Sequence, residues 1–307
     1  MVAGDLVHTS QSVGANVPEI SVVIPTLDRP RLVARCLRAL AQSTLETSRF
    51  EVIVVDDGSR EPLDAVVRDA QEGLTVQLLR QQQSGPAQAR NTGAKAAKGT
   101  ILAFTDDDCE PAPGWLTQVL QSQRDSTNTV IGGSVCNGAS HSVYSETSQV
   151  LMDYVYRSFN PDPQHATFFA TCNLSIPREP FLAMGGFDST FLFAAGEDRM
   201  FCRRWALEGG CLAYDPVAEV VHWHTLGFQS FFRQHFHYGR GAFRFRKKAA
   251  ELDGKWIPLE RLNFYWGILS APFHKHSVGE ALPMVLLVAL SQLAIAAGYV
   301  RERIHRA

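Results

Sequence analysis

Four short apolar runs, separated by helix-like stretches, set the architecture of this 307-residue chain. Ile20 to Pro25 (ISVVIP), Glu51 to Val55 (EVIVV), Leu74 to Leu79 and Ile101 to Phe104 read as buried strands, rich in β-branched and aliphatic residues. Between them, Arg31 to Gln42 puts Leu32, Val33, Cys36, Leu37 and Leu40 on one helical face. Pro30 suits its first turn, and Asp28 lies just upstream as a capping residue would. Pro62 to Glu72 reads as a helix ended by Gly73, and Ala87 to Ala97 as an Ala-rich helix stopped near Gly99. Trp115 to Gln123 reads as the helix after the fourth strand. Such alternation through residue 125 is the signature of an α/β fold, a parallel sheet with helices on both faces. Ligands in these sheets bind at the carboxyl ends of the strands.

The polar clusters lie at those ends. The first strand ends at Pro25-Thr26, the second runs into Asp56-Asp57-Gly58-Ser59, and the fourth into Thr105-Asp106-Asp107-Asp108. Two like charges ~4 Å apart repel by about 4 kcal/mol at an effective dielectric near 20, so three consecutive carboxylates need a reason. A divalent cation supplies one, and hard oxygen ligands select Mg²⁺ or Mn²⁺. Mg²⁺ usually completes its shell with substrate phosphates, so the cluster implies a phosphate-bearing ligand. The alternative is a solvated acidic loop capping the next helix; Leu102 and Phe104 place Asp106 at a core edge and favour the site. Asp57 can accept from the N–H of a nucleotide base. Asp-Gly is also a turn dipeptide, so an ordinary turn accounts for that tetrad equally well.

Several classes are excluded. No GxxxxGK[ST] occurs and no GxGxxG follows the first strand, which weakens ATPase and dinucleotide-dehydrogenase readings. With 29 basic against 31 acidic residues the net charge is -2, unlike a dedicated nucleic-acid binder. The six cysteines contain no CxxC pair, which argues against a Cys-rich zinc site; reduced thiols in the cytosol are the simplest reading.

The two ends differ. Residues 1–19 lack a basic stretch and an apolar core, so they read as a flexible tail and not a secretory signal. Ala281 to Val300 is twenty residues without a charge, long enough as a helix (~30 Å) to cross a bilayer core. A buried C-terminal helix is the alternative, though core helices seldom stay uncharged for so long. From Val220 to Ala250 there is no Asp or Glu, while Arg233, Arg240, Arg244, Arg246, Lys247 and Lys248 interleave with seven Phe and Tyr. That pattern suits an anionic membrane surface, a lipid-linked acceptor, single-stranded nucleic acid, or a helix packing its aromatics inward. The apolar helix next to it favours the membrane. Phe264 to Phe273 is apolar but too short to span, which suits the interface.

VVIPT at 22–26, VVDDGS at 54–59, GPAQARNTGAKAAKG at 85–99, FTDDDCEPAPGW at 104–115, GGFD at 185–188 and GED at 196–198 recur in the order that resembles the family 2 glycosyltransferases of the GT-A fold. Each motif alone is weak; the ordered set is specific. The resemblance implies a Rossmann-like, mostly parallel sheet flanked by helices, with a C-terminal helical, membrane-associated extension. It places a glycosyltransferase domain at 20–225, with a nucleotide half to about 115 and an acceptor half beyond it. Residues 226–280 follow as a basic aromatic interfacial segment and 281–300 as the membrane helix. It implies a metal-dependent, inverting transfer, with Mn²⁺ or Mg²⁺, from a UDP-, GDP- or dTDP-sugar. The acceptor stays open between a lipid and a cell-envelope glycan; a nucleic-acid partner is not expected. The implied location is the cytoplasmic membrane, with the catalytic domain facing the cytosol.

Carried over by position, Pro25, Thr26 and Asp57 match the nucleotide-holding residues, and Gly85 and Arg90 lie in the segment bordering that pocket. Asp106-Asp107-Asp108 matches the family's DxD element: Asp106 and Asp108 at its acidic positions for metal, Asp108 foremost, with Asp106 also near the nucleotide and Asp107 reaching the ribose. Asp198 matches the catalytic base, with Glu197 and Asn173 on the acceptor side. Inverting transfer needs one base and one electrophile and no enzyme nucleophile, and the base must stand across the sugar from the metal. Glu197-Asp198 precedes a helix-like run, Met200 to Leu207, where an N-terminus favours the anion. A plain helix-start charge is the alternative. His222 and His224 end the apolar run Val217 to Val221 and share a face if it is a strand, so an imidazole could complete the metal shell or be structural. The QxxRW-type motif of processive synthases is missing: Arg203-Arg204-Trp205 comes too early. Two other readings stand beside the transferase: an inactive sugar-nucleotide-binding module and a metal-dependent phosphohydrolase.

Overall fold

The computed structural model describes residues 17–306 except 125, 192 and 194, so the expected tail falls outside the described residues as far as position 16. The nucleotide half is built from β1 (Ile20–Thr26), α1 (Pro30–Ala41), β2 (Phe50–Asp56), α2 (Asp64–Ala70), β3 (Val76–Arg80), α3 (Pro86–Ala96) and β4 (Ile101–Thr105). A short β5 (Cys109–Pro111) and α4 (Trp115–Gln123) follow. The rest comprises β6 (Thr129–Asn137), α5 (Val143–Phe159), β7 (Asn173–Pro177), α6 (Arg178–Ala183), α7 (Glu197–Leu207) and β8 (Cys211–His222). Three C-terminal helices complete it: α8 (Phe228–Asp253), α9 (Leu262–Ser270) and α10 (Val278–Arg306).

One eight-stranded sheet runs β3-β2-β1-β4-β7-β6-β8-β5. The strands β3, β2, β1 and β4 are parallel, as the alternation predicts. Beyond them β7 is antiparallel to β4 and β6, β6 is parallel to β8, and β5 is antiparallel to β8, so the sheet is mixed. Every residue of β1 and β2 is buried, because both faces are covered. Their side chains alternate between two cores. Val22, Ile24, Val52 and Val54 pack with Leu37 and Trp115 on one face. Val23, Ile53 and Val55 pack with Phe104, Phe181 and Phe201 on the other.

The C-terminal helices pack against the rest of the protein. Much of α8 is buried, including Phe231, His235, Arg244 and Arg246, and its cations largely face inward. Arg240 and Arg244 both pair with Glu302 at 2.7 Å, and Lys248 pairs with Asp188 at 2.8 Å. Among the described residues α10 is the one helix long and apolar enough to cross a membrane. It is nonetheless seated along one face: Ala281, Met284, Val288 and Ser291 are buried, at the spacing of one helical stripe. Where it crosses α8, a Cβ on Gly239 would lie 1.9 Å from the Ile295 carbonyl oxygen. Glycine there lets the two backbones touch. The opposite stripe of Leu282, Leu286, Leu293, Val300 and Ile304 is exposed.

Candidate active site

The ends of β1, β2 and β4 meet where the sequence placed its polar clusters. The Asp57 carboxylate accepts from Gln81 Nε2 (2.7 Å), Ser84 N (2.9 Å) and Gly85 N (2.8 Å). It thus wraps the loop before α3 around itself, and Gly85 makes the turn at φ +90°. A carboxylate has about four acceptor sites, so one remains for an incoming N–H. Asp56 closes its own turn by accepting from Ser59 N at 2.8 Å. Pro25 lies within β1 opposite Val55, and Thr26 donates to Asp107 Oδ2 at 2.7 Å, tying the ends of β1 and β4 together.

The three consecutive carboxylates turn to different sets of partners, with Arg29 shared by the last two. Asp106 accepts from Arg90 Nη2 at 2.6 Å. Asp107 takes Thr26 and Arg29, whose Nη1 lies at 3.0 Å; burial pushes this carboxyl up to about 6 against the pull of Arg29. Asp108 faces His222 Nε2 at 3.1 Å and Arg29 Nη1 at 3.2 Å. Burial opposes its charge too, but His222 and Arg29 outweigh it and hold Asp108 well below the usual carboxylate range. In return the Asp108 carboxylate overcomes burial at His222 and lifts the imidazole to about 9. His224 stacks on His222 at 5.0 Å, and burial together with its neighbour's charge lowers it to about 4. Sequence reasoning missed Arg29, although it stands three residues past Thr26 in the loop after β1.

The donors suit a divalent cation. Ligand atoms of Asp108, Cys109 and His222 converge within 4.8 Å of one another. Cys109 is in the core and burial raises its thiol well above the ordinary value, so it stays protonated and is a poor ligand. The Asp108 carboxylate remains, and His222 could join it by giving up its proton as the cation binds, which leaves coordination positions for phosphate oxygens. Of the four expected metal ligands the structure brings these two together. Asp106 is turned onto Arg90, and His224 stacks behind His222, close enough for its charge to act on Asp108.

Arg90 borders the same cavity but is 2% exposed, and it bridges Asp106 to Glu197, whose Oε1 lies 3.3 Å from Nη1. Burial, then the neighbouring Asp198, pushes Glu197 up to about 8 in spite of Arg90. The ion-pair geometry would favour an anion there. However, the one guanidinium sits closer to Asp106 than to Glu197, and Glu197 Oε2 is buried without a partner. We assign the proton to Glu197. Burial also raises Asp198, making its carboxylate a stronger base. Asp198 lies in the first turn of α7, and its carboxylate accepts from Arg199 N at 2.7 Å.

One cavity of about 620 Å³ collects these groups: Asp106, Glu197, Asp198, His222 and His224 all line it. Asn173 does not. Its amide donates to the Ser134 and Ala218 carbonyls, and its oxygen accepts from Trp115 Nε1 at 2.9 Å. It pins β6, β8 and α4 together, so its role is structural. The GGFD segment is likewise a clamp: Asn91 exchanges two hydrogen bonds with the Phe187 backbone.

Comparison with known proteins bears on the family and the fold. The profile described as "Glycosyl transferase family 2" matches residues 21–184. A validoxylamine A glucosyltransferase of Streptomyces hygroscopicus subsp. jinggangensis is 31% identical over 212 residues, covering 60% of this chain and 50% of that protein. A pre-mycofactocin glycosyltransferase of Mycobacterium tuberculosis is 28% identical over 242 residues, 76% of this chain and 49% of that one. The chain thus spans about half the length of the curated relatives it matches. Among solved structures, the mannosyltransferase PcManGT from Pyrobaculum calidifontis, in complex with GDP-Man and Mn²⁺, superposes with a TM-score of 0.68 at 19% identity. The match covers 94% of this chain and 88% of that one. S. aureus TarS 1-349 gives a TM-score of 0.56 at 15% identity, over 94% and 91%. These structural likenesses establish the shared fold.

Proposed function

The chain belongs to glycosyl transferase family 2, and from that premise we propose that it moves a sugar, with inversion, from a nucleotide-sugar donor to an acceptor hydroxyl. The observation that carries the reading is that Asp106 and His222, the latter paired with Asp108, line one cavity with Asp198. Asp57 accepts from the nucleotide base, with Pro25, Thr26 and Gly85 shaping that pocket, and Asp107 meets the ribose. Asp108 and His222 hold Mn²⁺ or Mg²⁺, which when bound neutralises charge on the diphosphate leaving group. Asp198 takes the proton of the acceptor hydroxyl. The freed oxygen forms a bond to the anomeric carbon as that carbon's bond to the diphosphate oxygen breaks. Nucleoside diphosphate departs and the proton ends on Asp198. Attack opposite the leaving group inverts the centre and needs no covalent intermediate. Structural neighbours bound to GDP-Man, UDP and UDP-GlcNAc support the donor class without choosing its base.

The exposed apolar stripe of α10 supports association with the cytoplasmic membrane, the site facing the cytosol where nucleotide sugars are found. The intact acids at both ends of the cavity weigh against an inactive binding module. Turnover with a panel of UDP-, GDP- and dTDP-sugars, followed by assignment of the product's anomeric configuration by NMR, tests the reading. Opposite configurations in donor and product are expected. Retention would contradict a single displacement, and phosphate release without sugar transfer would favour a phosphohydrolase.

A further inference from the structure

The cavity does not end at Asp198. It continues between α5, α8, α9 and α10 as a chamber walled by Leu151, Val155, Phe264, Ile268 and Ile295. Its rim includes Leu259 and Val300, which are 63% and 53% exposed. Val300 belongs to the outer stripe of α10, so the chamber opens beside the apolar face of the molecule.

Two arginines stand in this apolar space. Arg199 follows the proposed base, and its guanidinium carbon lies 4.6 Å from the Phe159 ring and 4.7 Å from the Phe245 ring. Arg246 is 6% exposed, lies 5.8 Å over Tyr299, donates only to its own helix at Ala242 O, and has no partner at Nε. Among the described residues neither forms an ion pair. Asp198 and Glu260, both on the wall, attract Arg199 without closing on it, and burial followed by Arg246 lowers the Arg199 pKa. Other cations here are treated differently: Arg240 and Arg244 share Glu302, Arg203 holds Asp253, and Lys248 holds Asp188. Leaving two cations unpaired in a low-dielectric space is costly, and an anion between them removes that cost. The aromatic rings around Arg199 offset only part of it.

We propose that the acceptor is a phosphate-bearing amphiphile, with its phosphate on Arg199 and Arg246 and its apolar chain in the chamber between α5, α8, α9 and α10. The inference rests on the transfer reading and names the acceptor's chemical class. Phosphate supplies the oxygens that two planar guanidiniums bind in bidentate fashion. The chain enters from the side on which α10 is apolar, and the chamber leads it to Asp198.

The test is equilibrium binding to the full chain of three probes: dodecyl phosphate below its micelle concentration, dodecanol and inorganic phosphate. Dodecyl phosphate is expected to bind at least tenfold more tightly than either part alone. Arg246→Gln is expected to weaken dodecyl phosphate at least tenfold, with Arg246→Lys recovering part of the loss. UDP or GDP binding with Mn²⁺ should be unchanged in both variants. Dodecanol or inorganic phosphate binding as tightly as dodecyl phosphate would overturn the proposal without need of a variant. So would unchanged dodecyl phosphate binding in Arg246→Gln, or a loss of nucleotide binding in its place. Failure of wild type to bind either nucleotide would overturn the transfer reading, and the acceptor role with it.

Discussion

Asp106, Glu197 and Asp198 outnumber the two cations beside them, Arg90 and Arg199, and this shortage decides which carboxyl keeps a proton. Glu197 holds a proton at neutral pH because its carboxyl is displaced from an ordinary 4.5 to about 8. The folded state then binds more protons than the unfolded one. Its contribution to stability is complete below 4.5 and is lost as pH rises through about 8. Glu197→Gln imitates the neutral acid, so its melting temperature should fall less than that of wild type across this window; an identical pH profile by thermal unfolding would reject the assignment. Asp57→Ala removes an anchor of the loop at Gln81 to Gly85 as well as an acceptor for the base. Both losses act on ground and transition states alike, so the apparent KM for donor should rise with little change in kcat. A lower kcat at constant KM, measured in steady state, would contradict the role. Asp57, Asp106 and Asp108 were legible because a strand end is fixed by the hydrophobic run before it. The pairing of Arg90 with Glu197 was not, since 107 residues separate them and only the fold brings them together. Asn173 misled because an Asn at the start of a strand looks the same whether it faces a ligand or pins a sheet.

At the scale of elements, the parallel half of the sheet followed from period and burial, and its helices and strands matched to within a few residues. The antiparallel β7 and the short β5 did not, because no local signal states which neighbour a strand will choose. Helix α10 shows the same division. Its length and lack of charge were visible, but an uncharged helix cannot reveal that one of its stripes is seated on α8. Glycines at the crossing make that seat. Gly239→Val would drive a side chain into the Ile295 carbonyl and should destabilise the C-terminal helices by about 1–3 kcal/mol, as overpacking typically does. Gly279→Ala, with nothing within 4 Å of the added carbon, serves as the control. Thermal unfolding or limited proteolysis should separate the two, and equal stability would mean that α10 is not held at this crossing.

The whole molecule joins a parallel half, a mixed half flanked by α7 with the proposed base Asp198, and a helical layer that is apolar on its outside. The side chains of Leu286 and Leu293, 62% and 66% exposed, give that layer the apolar outer stripe on which the proposed membrane association rests. Since Arg240 and Arg244 face Glu302 within the protein, binding should depend on apolar contact more than on charge. High salt should leave the full chain in the membrane fraction and detergent should release it. Leu286→Glu together with Leu293→Glu should move it to the soluble fraction, and a full-length protein wholly soluble at low salt would contradict the placement. The account as a whole depends on one reaction shared between Asp108–His222 and Asp198. The most direct measurement is nucleoside diphosphate release from a donor panel, read by mass, with an acceptor present. Release is expected to need Mn²⁺ or Mg²⁺, to stop in excess chelator, and to fall ~10²–10⁴-fold in Asp198→Asn while that variant still binds donor. Undiminished release in chelator, or full turnover by Asp198→Asn, would contradict it.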